Sequence, residues 1–248
     1  MMSDVKIVKD CKNPQVLVVT PLLPGHSISR ETRTSIQRNE TPYVWLTSTG
    51  QANIPTNAQN AINWYQEKRS LPPYYLMIDR DINMGRNMID RLVAAITPAP
   101  CPPIAYAYAS FEFRGHINHD FPARSFDINM LLQHNYISSN SLFRLDVVQK
   151  VGLVTDEKYK RLLDWAFLLK LFLVGPYVGI PVAHAKFVAA STEKDISAGS
   201  PEDYQEKRER VLQDFGLPIA DKYNQKQQKP PVKEEASVTQ FEFEKTEL

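Results

Sequence analysis

Apolar positions along the chain follow two spacings, one suited to strands and one to helices, and the two alternate. Val16, Leu17, Val18, Val19 and Thr20 form an unbroken run rich in β-branched residues, the pattern of a strand buried on both faces. Pro21 stops it, and Pro24-Gly25 marks a loop. Residues 43–46 and 74–78 predict further strands, and 104–110 a fourth with alternating aromatics. Helical spacings lie between them. One is sparse, over 27–38. Another, within 57–68, carries Ala58, Ala61, Ile62 and Tyr65. The third is the stripe Met84, Met88, Ile89, Leu92, Val93 and Ile96, with Asn83 as its predicted cap. The prolines at 98, 100, 102 and 103 prevent its continuation.

This alternation predicts an α/β fold with a mostly parallel sheet flanked by helices on both faces. Residues 111–140 read as an irregular, polar-aromatic insertion that faces substrate. Beyond them the pattern predicts a short helix over 143–151 closed by Gly152, and a longer buried helix over 159–174 closed by Gly175. A returning strand over 177–187 and a charged surface helix over 202–215 follow. Residues 1–14 read as a loose polar lead-in and 15–220 as a single Rossmann-like domain. Residues 221–248, rich in Lys, Gln, Glu and Pro, read as a disordered tail.

Charge narrows the function. Twenty-nine basic residues against 28 acidic give a net +1, which lacks the basic excess of a nucleic-acid or membrane-surface protein. With 43% hydrophobic residues, 248 positions suffice for a sizeable core. Cys11 and Cys101 make neither a disulfide framework nor a zinc site, and predict a reduced, cytoplasmic setting. No apolar run with a cleavage site opens the chain. The longest greasy stretch, 165–178, contains Lys170 and falls short of the about 20 residues a membrane span needs.

The sharpest chemical signal is Asp79-Arg80-Asp81, directly after the 74–78 strand. Ligands of open α/β sheets sit outside the carboxyl ends of strands. Two carboxylates one residue apart on extended backbone point to the same side. Such a pair suits a hard cation, Mn²⁺ or Mg²⁺, that shares its coordination with a substrate's phosphates. The plainer alternative is an Asp-rich turn.

At this point the chain resembles a glycosyltransferase of the GT-A fold, specifically the large inverting family 2, over about residues 15–190. The run from Val16 to Pro21 is similar to the family's opening strand. Ala58-Gln59-Asn60 is similar to its Ala-Arg-Asn element, and Tyr75-Leu76-Met77-Ile78-Asp79-Arg80-Asp81 to its acidic strand. Ser138-Ser139-Asn140 through Arg144, then Val151-Gly152, resembles the segment before its catalytic helix. Leu163-Asp164-Trp165 resembles its Glu-Asp-Trp segment. Gln59 and Leu163 depart from the pattern, each by the loss of a charge.

The resemblance implies a metal-dependent inverting transfer of a sugar from a UDP- or GDP-linked donor to a glycan or other hydroxyl acceptor. It makes Asp164 the general base, with a salt bridge to Lys160 or Arg161 as the alternative. It places Thr20, Pro21 and Leu22 at the nucleobase, with Asn60 and Asp79 near the nucleotide. It offers His184 as a third metal ligand, the alternative being a core histidine. Trp165 is a candidate to stack on a sugar, against an ordinary core role. His116, in the loop with His119 and Asp120, is a candidate acceptor contact. Two other functions stay open: a non-catalytic nucleotide-sugar or glycan-binding module, and a nucleotidyltransferase, which the lack of a glycine-rich phosphate loop disfavours.

Overall fold

The computed structural model describes residues 4–97, 104–116, 118–191 and 201–219. Cys101, the prolines at 98–103 and the expected tail at 221–248 lie outside the described residues. Nine strands form one sheet: β1 (Asp4–Lys9), β2 (Val16–Pro21), β3 (Tyr43–Thr49), β4 (Tyr74–Met77), β5 (Ile82–Met84), β6 (Ile104–Gly115), β7 (His119–Phe121), β8 (Leu142–Arg144) and β9 (Val178–Ser191). Their order is β1-β3-β2-β4-β8-β6-β9-β5, with β7 paired to β6. The helices are α1 (Arg30–Gln37), α2 (Ile54–Gln66), α3 (Met88–Ile96), α4 (Ile128–Gln133), α5 (Leu145–Val151), α6 (Leu163–Val174) and α7 (Pro201–Asp214).

The sheet is buried on both faces because its central strands β2 and β4 are apolar along most of their length. Along β2 and β4, Leu17, Val19 and Tyr75 pack with Ala58 and Ala61 of α2, Leu145 of α5 and Trp165 of α6. Val16, Val18 and Leu76 turn the other way, onto Ile36 of α1 and Ile89 and Leu92 of α3. Each such side chain contributes about 1.5–3 kcal/mol by leaving water. α1 and α2 begin at Ser29 and Asn53, whose side chains accept from the amides of Thr32 and Thr56.

The topology positions the site. β2 pairs in parallel with β3 on one side and with β4 on the other, so the chain reverses its winding direction between β2 and β4. The carboxyl ends of those two strands flank the crevice where such sheets bind ligands. Leu22 follows β2 there, and Asp79 follows β4.

Several expectations change. The sheet is mixed rather than parallel throughout. β2–β3, β2–β4 and β6–β9 are parallel, but β8 runs antiparallel between β4 and β6. The lead-in 1–14 contains β1, an edge strand on β3. Its mostly exposed side chains carry no buried stripe, so pairing of the backbone holds it in place. Asn83 does not cap a helix. It lies on β5, and α3 starts after Asn87, in the left-handed conformation at φ 55°. The insertion 111–140 is more regular than expected, with β6 continuing to Gly115, β7 folding back on it, and α4 beyond. The helix over 159–174 is broken. A 3-10 turn at Glu157–Tyr159 ends at Lys160, Arg161 adopts φ 79°, and α6 begins at Leu163. Among the described residues no helix is long and apolar enough to cross a membrane.

Candidate active site

Asp79 and Asp81 stand on the short turn between β4 and β5, fastened from three sides. The amide of Ser29 and the hydroxyl of Thr32, at the start of α1, both donate to the Arg80 carbonyl, at 2.9 and 2.8 Å. The Ile82 amide donates to the Asp79 carbonyl at 3.3 Å. Asn140, 1% exposed, accepts from the Asp79 amide at 3.2 Å and donates to the Asp79 carboxylate at 3.3 Å. Burial raises the Asp79 carboxyl to about 6. The negative charge of Asp81 adds to the rise, the Asn140 hydrogen bond opposes it, and the charge of Asp164 adds a further increment. No salt bridge among the described residues involves Asp79 or Asp81. Among the described residues the pair therefore has no cationic ion-pair partner.

Asp164 reaches the same site from the first turn of α6. One carboxylate oxygen accepts from the Trp165 amide at 2.8 Å and the other from the Asn135 side chain at 2.9 Å. Burial pushes its carboxyl above the usual range, while these donors pull the other way. The alternative of a salt bridge to Arg161 does not form, because Arg161 pairs with Asp203 of α7 at 2.6 Å. The break before α6 gives Asp164 its place. An unbroken helix from 159 would put it in the second turn, whereas here it stands half-buried in the first, beside helix amides that have no intrahelical acceptor.

The loop after β2 is clipped. Thr20 is fully buried and accepts from the indole N–H of Trp45 at 3.1 Å, so its hydroxyl serves the core wall of the crevice. Pro21 ends β2 opposite Ser48. The Leu22 amide donates to Ser48, and its carbonyl accepts from Asn57 at 2.9 Å. Asn57, fully buried, also donates to the Gln51 carbonyl and accepts from the Gln51 amide. Asn60 is half-buried one turn further along α2. Replacing Asn57 with Ala strands the Leu22 and Gln51 groups. It is expected to lower stability by about 1–3 kcal/mol, read as a reduced denaturation midpoint in urea with the slope unchanged.

Three candidates lie elsewhere. His184 is exposed on β9, in the left-handed region at φ 57°, and its carbonyl accepts from Arg91 at 2.7 Å. Among the described residues no three His, Cys, Asp or Glu side chains gather as a metal site, so His184 does not join the aspartates as a third ligand. It is not the core histidine of the alternative either. Trp165 is fully buried and its indole N–H donates to the Leu131 carbonyl at 2.7 Å, which leaves no ring face for a sugar. His116 is exposed in the turn between β6 and β7, and Asp120 beside it pairs with Arg114.

Asn140, Asn135 and Asn57 are the residues that sequence reasoning missed. Only Asn140 carried a local signal, the small polar run 138–141 before a strand. The other two are recognisable solely by what they touch.

No protein-family model matches the sequence, and no curated protein matches it. Solved structures do. S. aureus TarS superposes with a TM-score of 0.56 at 13% identity, over 85% of this chain and 41% of that one. Its segment 1–349 in complex with UDP-GlcNAc gives 0.56 at 13% identity, over 85% and 69%. The mannosyltransferase PcManGT from Pyrobaculum calidifontis, in complex with GDP-Man and Mn²⁺, gives 0.50 at 12% identity, over 84% and 66%. The chain spans less than half of that TarS chain. At this identity the likeness establishes the fold, which is that of GT-A-like glycosyltransferases.

Proposed function

We propose that this GT-A-like chain transfers a sugar from a nucleoside diphosphate donor to an acceptor hydroxyl with inversion at the anomeric carbon. The observation that supports this reading best is the convergence of Asp79, Asp81 and Asp164 at the switch point between β2 and β4. Asp79 and Asp164 are raised by burial, the charges of Asp81 and Asp164 add to the rise of Asp79, and no salt bridge among the described residues neutralises them, which is an arrangement for chemistry rather than for stability.

The aspartate pair fits a divalent cation. Mg²⁺ and Mn²⁺ are commonly held by one or two carboxylates and completed by phosphate oxygens, so the absence of a third protein ligand is no obstacle. Asp79 and Asp81 would hold it, and when bound it neutralises the charge on the departing diphosphate. The clipped loop after β2, with Leu22 at its turn, forms the nucleotide side of the crevice. The Asp164 carboxylate takes the proton of the acceptor hydroxyl. The freed oxygen pair forms the new bond to the anomeric carbon as the bond to the β-phosphate oxygen breaks, and that electron pair leaves with the nucleoside diphosphate. Attack from the face opposite the leaving group inverts the centre.

Asn135 is a positioning residue in this scheme. Its hydrogen bond lowers the Asp164 carboxyl, so Asn135→Ala is expected to raise it. Because the base acts ionised, the acid limb of kcat/KM should then move to higher pH, as a pH–rate profile reads. The reading as a whole is tested by incubating the protein with UDP- and GDP-linked sugars and an acceptor panel, with Mn²⁺ or with EDTA. Transfer that needs the cation and yields the inverted anomer by NMR supports it. Donor binding indifferent to EDTA sinks the cation site, and a retained anomer sinks the single-displacement role of Asp164.

A further inference from the structure

The near balance of charge over the whole chain hides how its cations are sorted. Residues 26–41 and 80–97, which hold α1, β5 and α3, carry Arg30, Arg33, Arg38, Arg80, Arg86 and Arg91 and no lysine. All six side chains are exposed. Elsewhere arginines find carboxylates, as Arg69 does with Asp10, Arg144 with Asp146 and Arg161 with Asp203. Among the described residues no salt bridge involves any of the six. Arg33 lies 5.4 Å from the centre of the Trp45 ring and Arg91 donates to the His184 carbonyl, contacts that hold the groups and leave their charge.

Packing gathers these charges on one face. α1 and α3 cover the same side of the sheet, through Ile36 of the first and Ile89 and Leu92 of the second. In α1 the buried stripe Thr32, Ser35 and Ile36 turns inward, which leaves Arg30, Arg33 and Arg38 to water. At its start, Ser29 and Thr32 hold the Arg80 carbonyl. At its end, Asn39 accepts from the Ile89 amide and so brings up the first turn of α3, beside Arg86 and Arg91. Eight residues make α1 about 12 Å long, comparable with the Debye length at physiological salt, so charges at its two ends reinforce one another. Glu31 and Glu40 are the exposed acids of these segments. The Asp90 carboxylate is taken up by the amides of Glu40 and Thr41 and by the Thr41 hydroxyl.

Arginine without lysine points to phosphate, because the guanidinium fork binds two oxygens of one group where an ammonium is a point charge. The six stand apart on two helices and a turn, which suits many phosphates spread over a surface. A single-stranded nucleic acid would want exposed rings for its bases, and the rings beneath these helices, Tyr43 and Trp45, are fully buried. We propose that the face made by α1, the turns flanking β5 and α3 docks on a bilayer surface that carries anionic phospholipids. Arg80 stands between Asp79 and Asp81, so docking sets the rim of the crevice at the lipid headgroups. The proposal goes beyond the transferase reading and does not depend on it.

The test sediments the full chain with vesicles of phosphatidylcholine alone or mixed with phosphatidylglycerol. Binding is expected to the mixed vesicles only, and to weaken steeply as salt is raised. Each arginine near anionic lipid adds about fivefold to affinity, so the triple variant Arg30→Gln, Arg38→Gln, Arg86→Gln should bind about 100-fold more weakly. Those three side chains have no hydrogen bond or ion pair among the described residues, so its melting temperature should match the wild type. A second triple, Lys12→Gln, Lys160→Gln, Arg210→Gln, removes the same charge from exposed positions away from α1 and α3 and should bind within about threefold of the wild type. Equal losses in the two triples would assign binding to net charge, and equal binding to both kinds of vesicle would assign it to something other than charge. Either overturns the proposal, as does single-stranded DNA or polyphosphate binding this face while vesicles do not. Hydrogen exchange on the wild type needs no substitution: mixed vesicles should slow exchange over 30–38 and 86–96, and protection confined to other segments overturns the proposal.

Discussion

Asp164→Asn is expected to lower kcat by about 10²–10⁴-fold while donor affinity stays within about twofold, the loss typical of a removed general base. The substitution keeps the shape of the side chain, and the Trp165 amide retains an acceptor in the new amide oxygen. It also removes a charge that burial disfavours, so the fold is expected to hold. Donor titration by calorimetry beside initial-rate kinetics separates the two effects. A parallel loss of binding and rate would assign Asp164 to donor recognition, and unchanged rate would remove it from the reaction.

Asp79→Asn is expected to trade binding for stability. Loss of one of two carboxylates should weaken cation-dependent donor binding by at least about tenfold. In EDTA at pH 8, however, the variant should melt several degrees higher than the wild type. The sign follows from the carboxyl, which lies at about 6 in the folded protein against an ordinary 3.8. The folded state holds this proton more tightly than the unfolded chain does. Its contribution is thus fully present below about pH 4 and lost as pH rises through 6. Above that the ionised group burdens the folded state by about 3 kcal/mol. Asparagine escapes the burden. The gap in melting temperature between variant and wild type should therefore open between pH 4 and 7 and be absent at pH 4. A gap that is flat across this range would show that Asp79 is not held at raised pKa. Mn²⁺ with a bound donor should narrow the gap at pH 8, because ligand stabilises only the protein that binds it.

The apolar runs at 16–20 and 74–78 and the stripe at 88–96 were legible because burial on both faces of a sheet, or on one face of a helix, leaves its own period in the residues. The acidic pair was legible because its position after such a run is local information. The edge strand β1 was not, since a strand held by backbone pairing at a sheet's rim needs no apolar stripe. The start of α3 was misplaced by one short strand, because the Met84 side chain enters the core from β5 while matching the helical spacing of the residues after Asn87.

Taken alone, the order of residues determined the α/β class, the strand that leads into Asp79 and Asp81, and the presence of a carboxylate in a greasy helix. Those features depend on spacing along the chain. Tertiary structure decided which of the candidates meet. It broke the helix before Leu163 and set Asp164 on a first turn. It buried Trp165 against Leu131 and left His184 exposed on β9. It also brought Asn140 and Asn135, distant in sequence, to the two carboxylates they hold. Hydrogen bonds across tens of residues leave no period behind them, so only the folded chain shows them.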